Sequence, residues 1–231
     1  MPVISFANSK GGSGKTTSAL LLATALAENT PTTIIDADPR QPITQWAKLD
    51  GVAKNLTVVS NQSEKTILDE IEQAAARDPF VLIDLEGTAS RLMSYAISQS
   101  DLVIIPLKEQ QQDAAAAIDV IQEIHRDMKA TRRHIPFAAL FTQSKAAVKS
   151  RTARHIGNQF RENPQIDCFT TEIHERDAFA ALFSMGGTVR GMNSQNVNGL
   201  PKALENIEQF KAEVISRLRA IQAKEPDGEV A

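Results

Sequence analysis

The stretch "SKGGSGKTT", Ser9–Thr17, stands near the start of this 231-residue chain. Gly14, Lys15 and Thr16 match the end of the phosphate-binding pattern G-x-x-x-x-G-K-[ST]. The leading glycine of that pattern is replaced by Ser9, and a second lysine, Lys10, precedes the pair Gly11-Gly12. The stretch follows a β-branched apolar run, Val3–Ala7, and opens a helical pattern, Lys15–Glu28, which is the context a phosphate loop requires. Gly11, Gly12 and Gly14 leave the backbone free to wrap an oxyanion with its N–H groups. The helix starting near Lys15 adds the positive end of its dipole. Lys15 is then suited to the β- and γ-phosphates of a nucleotide, and the Thr16 hydroxyl to Mg²⁺. Ser13 and Thr17 complete the nucleotide-binding stretch.

Working outward, further short apolar runs occur at Thr32–Asp36, Leu56–Val59, Phe80–Asp84, Leu102–Pro106, Pro136–Phe141 and Cys168–Glu172. Most are continuous rather than alternating, as strands buried on both faces of a parallel sheet should be. Between them lie helical patterns near Pro42–Leu49, Lys65–Ala76, Ser90–Ser98, Gln110–Met128, Val148–Glu162 and Arg176–Ser184. A last helix is expected over about Pro201–Ala223. This rhythm predicts an α/β fold: a doubly wound, mostly parallel sheet of about seven strands with helices on both faces. One domain is expected over residues 1–223, with a polar tail at 224–231. The last helix carries an apolar stripe at Leu204, Ile207, Phe210, Val214, Leu218 and Ile221, expected to pack on the sheet.

Bulk composition excludes several classes. Cys168 is the only cysteine, which rules out a disulfide framework or a cysteine-clustered metal site within one chain. His125, His134, His155 and His174 show no ligand spacing. No apolar run approaches the roughly 18 residues of a membrane span, and "MPVISFA" lacks the basic lead of a signal peptide. A cytoplasmic location is expected. The net charge is −3, yet the segment from Arg126 to Arg154 holds eight Lys/Arg against one acid, Asp127. That segment is +7 and the remainder −10, an asymmetry that points to an anionic partner.

Two acidic strand ends join the loop. "DADPR", Asp36–Arg40, places acids where open α/β sheets bind ligands. "FVLIDLEG", Phe80–Gly87, is a buried strand ending in Asp84, suited to holding Mg²⁺ through water. With these, K-G-G-x-G-K-T-T resembles the deviant Walker A motif of the ParA/MinD family of ATPases, and "DADPR" is similar to that family's D-x-D-P-Q box. "SDLVIIPLKEQQQDAAAA", Ser100–Ala117, looks like the family's next strand and helix. "DADPRQPITQW" and "DLEGTAS" also resemble the small ParA-like proteins of conjugative and T-DNA transfer systems, the VirC type. The resemblance implies ATP and Mg²⁺ as cofactors and a P-loop ATPase whose catalytic residues are Lys10, Lys15 and Asp38. Lys10 is implied to touch the nucleotide of the opposite subunit, Asp38 to orient the attacking water, and Asp36 to support the Mg²⁺ region. The altered D-L-E-G in place of the family's D-x-P-P leaves Glu86 without an assigned role.

The function expected from this resemblance is a switch that dimerises on ATP, binds DNA without sequence preference and drives DNA partition in association with the nucleoid. A ParB-like centromere-binding protein or a relaxosome component is the expected partner. Candidate DNA contacts are Lys145, Lys149, Arg151 and Arg154, with Arg176 and Arg190. "VNGL", Val197–Leu200, lacks the arginine that partition relatives often place before the last helix. Only seven residues precede the loop region, so no N-terminal helix-turn-helix domain is expected. The alternatives are a VirC-type accessory ATPase of DNA transfer, a MinD-like membrane-recruited ATPase, or a metabolic enzyme on the same fold. The acidic tail after Lys224 argues against the membrane reading, and the lone cysteine against a nitrogenase-iron-protein relative.

Overall fold

The computed structural model describes residues 1–87, 90–145 and 147–224. The strands are β1 Val3–Phe6, β2 Thr32–Ala37, β3 Leu56–Ser60, β4 Phe80–Leu85, β5 Leu102–Leu107, β6 Phe137–Ser144 and β7 Ile173–His174. They form one sheet in the order β3-β2-β4-β1-β5-β6-β7, and all paired neighbours run parallel. The α-helices are α1 Lys15–Ala27, α2 Pro42–Trp46, α3 Ile67–Arg77, α4 Arg91–Ser98, α5 Gln111–Thr131, α6 Arg151–Arg161, α7 Asp177–Met185 and α8 Leu200–Gln222. The expected doubly wound α/β architecture is the one observed.

Two apolar layers sandwich the sheet. One packs α1, α2, α7 and α8 through Leu20, Trp46, Leu182 and Phe210. The other packs α3 to α6 through Ile71, Met93, Ile121 and Phe160. Strands β1, β2 and β5 are buried at every position, which explains their continuous rather than alternating apolar character. Helix α1 is buried on nearly all sides between sheet and α8. In α8 the stripe Ile207, Phe210, Val214 and Leu218 lies in the core, the use expected of it.

Several boundaries differ from the sequence expectation. The strand expected at Cys168–Glu172 forms later, at Ile173–His174; only an isolated bridge joins Cys168 to Ala139. The Glu213 carboxylate on α8 accepts the backbone N–H groups of Thr170 (2.8 Å) and Thr171 (2.7 Å), so those groups cannot enter the ladder. Helix α6 starts at Arg151 rather than Val148, because Ser150 caps it by accepting from the Ala153 N–H. Helix α2 ends at Trp46, and α5 continues to Thr131 before Arg132 turns left-handed (φ 54°). Tail residues 225–231 lie outside the described residues.

The sheet order puts β1 in the middle, with β4 on one side and β5 on the other. The loop after β1 therefore opens at the carboxyl edge, where the direction of winding reverses and ligands bind. Across β2 and β4, Asp36 and Asp84 are direct register partners.

Candidate functional site: a phosphate cradle beside two buried carboxylates

The loop wraps at Gly12 (φ 73°) and Gly14 (φ 95°), both in the left-handed region. Gly14 caps α1, and a Cβ there would lie 2.9 Å from Thr142 Oγ1. Three side chains hold the loop. Asn8 donates to the Pro106 carbonyl (2.7 Å) and accepts the Lys10 N–H (2.8 Å). The Thr142 hydroxyl donates to the Ser13 carbonyl (2.6 Å), and Gln143 Nε2 donates to the Gly12 carbonyl (3.2 Å). Asn8, Thr142 and Gln143 belong to no motif; they act because the ends of β1 and β6 flank the loop. Gly14→Ala is therefore expected to lower stability by about 1–3 kcal/mol, from left-handed strain plus the clash. Gly14→Ala in a Thr142→Ala background should recover only the share of the clash made by Thr142 Oγ1 and Cγ2, since its Cβ would still lie 3.0 Å away. Denaturant midpoints of the two single variants and the double would separate that share from the strain.

A cavity of about 440 Å³ opens beside the loop. Gly11, Gly12, Gly14, Lys15, Thr16 and Thr17 form one wall, and Asp38, Arg40, Glu86 and Gly87 face them. Lys15 is only 6% exposed, and its ammonium donates to the Lys10 carbonyl at 3.1 Å. Burial lowers its pKa, while Asp84, Asp38 and Glu86 oppose that shift. The D-L-E-G departure has a steric role here. A Cβ on Gly87 would approach Gly11 N and Lys15 Nζ to 3.3 Å, so glycine lets the end of β4 close on the loop. Thr88 and Ala89 of "DLEGTAS" lie outside the described residues.

Asp36 and Asp84 are both fully buried. Burial pushes Asp84 up to about 7, against the lowering influence of Thr16 and Lys15; the nearby Asp36 charge raises it further. Among the described residues neither Asp84 oxygen has a hydrogen bond of full geometry, and Asp36 Oδ1 has none. Asp36 Oδ2 accepts the Thr44 N–H at 2.7 Å, and burial raises its pKa as well. Two adjacent buried carboxylates with unpartnered oxygens, next to Thr16, fit a hard divalent cation. Asp38 lies further out, its Oδ1 accepting the Arg40 N–H (2.8 Å).

Lys10 does not line this cavity. Its ammonium is ion-paired with Asp113 in the first turn of α5, a carboxylate with no exposed surface. A second cavity of about 230 Å³ shares Gly14, Thr17 and Gln143 with the first and continues to Phe179 and Phe183. His174, Glu175 and Arg176 also line it, and Arg176 Nε is buried without a partner. Arg176, expected on a DNA surface, thus faces a pocket beside the start of α1.

The basic segment is divided by the fold. Arg126, Lys129, Arg132 and Arg133 precede β6, while Lys145, Lys149, Arg151 and Arg154 follow it, at the opposite edge of the sheet. Lys149 lines one cavity with Lys145 but is ion-paired: its ammonium lies 2.7 Å from Glu109 and 2.6 Å from Glu172, with Arg161 beside them. Arg190 sits on the far α1–α8 side, bound to Glu28 and Glu208 at 2.7 Å each. Lys145, Arg151 and Arg154 are not among the ion-paired side chains of the described residues, and Lys145 and Arg151 are exposed.

Comparison with known proteins identifies the family. The family model described as VirC1 protein matches residues 1–217. "Protein ParA" of Rhizobium radiobacter is 37% identical over 219 residues, covering 94% of this chain and 98% of that protein. "Protein virC1" of Rhizobium rhizogenes is 27% identical, over 80% and 82% of the two chains. Among solved structures, apo McdA from Cyanothece superposes with a TM-score of 0.77 at 16% identity, covering 93% of this chain and 99% of the other. A plasmid partition protein of Borrelia burgdorferi bound to AMPPNP superposes at 0.66 with 19% identity, over 92% and 99%.

Proposed function

This chain belongs to the VirC1 family of ParA-like proteins, and from that premise we propose that it is an Mg²⁺-dependent ATPase that dimerises on ATP, binds DNA and drives plasmid partition. The observation that carries the reading is the pairing of a glycine cradle on α1 with the two buried carboxylates Asp36 and Asp84, of which Asp36 Oδ1 and both Asp84 oxygens lack partners among the described residues. The loop N–H groups and Lys15 hold the phosphates. The apolar pocket by Phe179 and Phe183 suits the base. Thr16 and Asp84, with Asp36 supporting them, would hold Mg²⁺, which when bound would neutralise phosphate charge.

Asp38 orients the attacking water. The water oxygen adds to the γ-phosphorus as the bond from that phosphorus to the bridging oxygen of ADP breaks; one water proton stays on the phosphate and the other passes to solvent. Lys10 leaves Asp113 to reach the nucleotide of a second copy, so that ATP and dimer formation are coupled. Hydrolysis then dissolves the dimer, slowly until a ParB-like partner stimulates it. Such a cycle would place the protein on the nucleoid. The match of residues 1–217 to the VirC1 model favours one second reading, an accessory role in DNA transfer with a relaxosome partner. Among the described residues no helix is long and apolar enough to cross a membrane.

The DNA surface of this reading is Lys145, Arg151 and Arg154, with Lys149 reassigned to the Glu109–Glu172 network. Replacing the three by alanine should weaken binding alike on unrelated DNA sequences. It should also flatten the slope of log affinity against log salt by about one unit for each phosphate left unneutralised, counted over both subunits. Titrations at several salt concentrations, with a slowly hydrolysed ATP analogue, check this. Lys10→Ala run beside it should remain monomeric. An unchanged slope would place the DNA surface elsewhere.

A further inference from the structure

One cation besides Lys15 lines the phosphate cavity, and it is Arg40. We infer that Arg40 is a further catalytic residue, a guanidinium that meets the γ-phosphate from the Asp38 side and holds it more tightly as charge redistributes during hydrolysis. The inference rests on the ATPase reading above and adds a residue to it.

Charge balance is the first argument. Four carboxylates surround the cavity or its floor: Asp36, Asp38, Asp84 and Glu86. In the free chain only Lys15 and Arg40 among the described residues oppose them there, because the Lys10 ammonium is held outside by Asp113; in the dimer proposed above, Lys10 of the second copy would join them, on the phosphates rather than beside Asp38. A nucleotide triphosphate brings further negative charge into this space. A planar guanidinium suits it better than a point charge, since it donates two parallel hydrogen bonds to phosphate oxygens.

Backbone geometry is the second. The Arg40 N–H donates to Asp38 Oδ1 (2.8 Å) and its carbonyl accepts Gln45 Nε2 (2.7 Å), so both sides of the residue are pinned. The next residue, Gln41, is left-handed (φ 52°) although it is not glycine and precedes Pro42, a setting that favours extended backbone. That strained turn is held by Gln41 N–H to the Asp38 carbonyl (2.8 Å) and by Gln41 Nε2 to Gln62 Oε1 (3.1 Å). A turn restrained at this many points presents Asp38 and Arg40 to the cavity as a unit. The Arg40 side chain itself is exposed and has no ion-pair partner among the described residues, so it is free to take a ligand. Its position in the motif gave no signal, because the similar D-x-D-P-Q box has glutamine in this place.

The test uses the full chain with Arg40→Ala, Arg40→Gln and Arg40→Lys. Affinity is measured for a slowly hydrolysed ATP analogue and for ADP with aluminium fluoride, a mimic of the transferring phosphoryl group, together with kcat and KM. Arg40→Ala and Arg40→Gln should hold the ATP analogue within about threefold, yet lose about 100-fold or more in kcat and in affinity for the aluminium fluoride complex. Arg40→Lys should restore less than a tenth of the loss. Equal losses for both nucleotides would make Arg40 a ground-state binding residue and overturn the inference. So would a wild type that turns over beside an Arg40→Ala chain that does so equally. A wild type that binds no nucleotide would overturn the ATPase reading, and Arg40's role with it.

Discussion

Replacement of Lys15 by alanine should lower the affinity for ATP by about 100-fold or more while the fold survives. The ammonium is almost wholly enclosed, and among the described residues it donates only to the Lys10 carbonyl. Its lowered pKa reflects burial that Asp84, Asp38 and Glu86 only partly offset. The side chain is thus held at a cost in the free protein, in a position where phosphate oxygens would relieve it. Hydrogen bonds to charged groups contribute about 1.5–3 kcal/mol each. Two such contacts, at about 1.4 kcal/mol per decade of affinity, account for two to four decades. Titration with a fluorescent ATP analogue in Mg²⁺ checks the figure. Affinity equal to wild type would remove the loop from the nucleotide site altogether.

Asp84→Asn should act in the opposite direction on stability. Burial raises the Asp84 pKa from 3.8 to about 7 in the folded chain. Between those values the native state retains a proton that the unfolded state has released. Stability therefore falls as pH rises through that window, and the full penalty is present above about 7. A shift of this size corresponds to a penalty on the order of 4 kcal/mol. The neutral amide carries no such penalty, so the variant should be more stable than wild type at pH 8, by up to that amount. The difference should shrink toward zero near pH 4. Added Mg²⁺ and nucleotide should stabilise wild type and not the variant, since a cation offsets the buried charge only where the charge exists. Denaturant melts at pH 4, 6 and 8, with and without Mg²⁺ and nucleotide, check both parts. A difference independent of pH would mean that Asp84 acts through packing rather than charge.

These two expectations divide the site into what short-range pattern reveals and what it hides. Gly12, Gly14, Lys15 and Thr16 were legible because a phosphate cradle is a local object: a strand end, a left-handed turn and a helix start, spaced by covalent geometry. The acids Asp36 and Asp84 were legible as strand ends. That they stand side by side was not, because β2 and β4 become neighbours only when β4 inserts between β2 and β1.

By itself the sequence determined the doubly wound class, the apolar stripe with which the last helix meets the core, and the glycine turn that opens the first helix. All of these follow from residue periods of two and 3.6 and from spacings within a few residues. The tertiary structure alone decided which polar groups meet. It set Thr142 and Gln143 against a loop 129 to 131 residues earlier, and Lys10 on Asp113, 103 residues away. It also enclosed Lys149 between two carboxylates and took Thr170 and Thr171 out of the sheet through Glu213. The physical reason is common to them. A charge or hydroxyl has no periodicity to betray its partner, and the partner is chosen by where packing of the apolar core brings distant segments together.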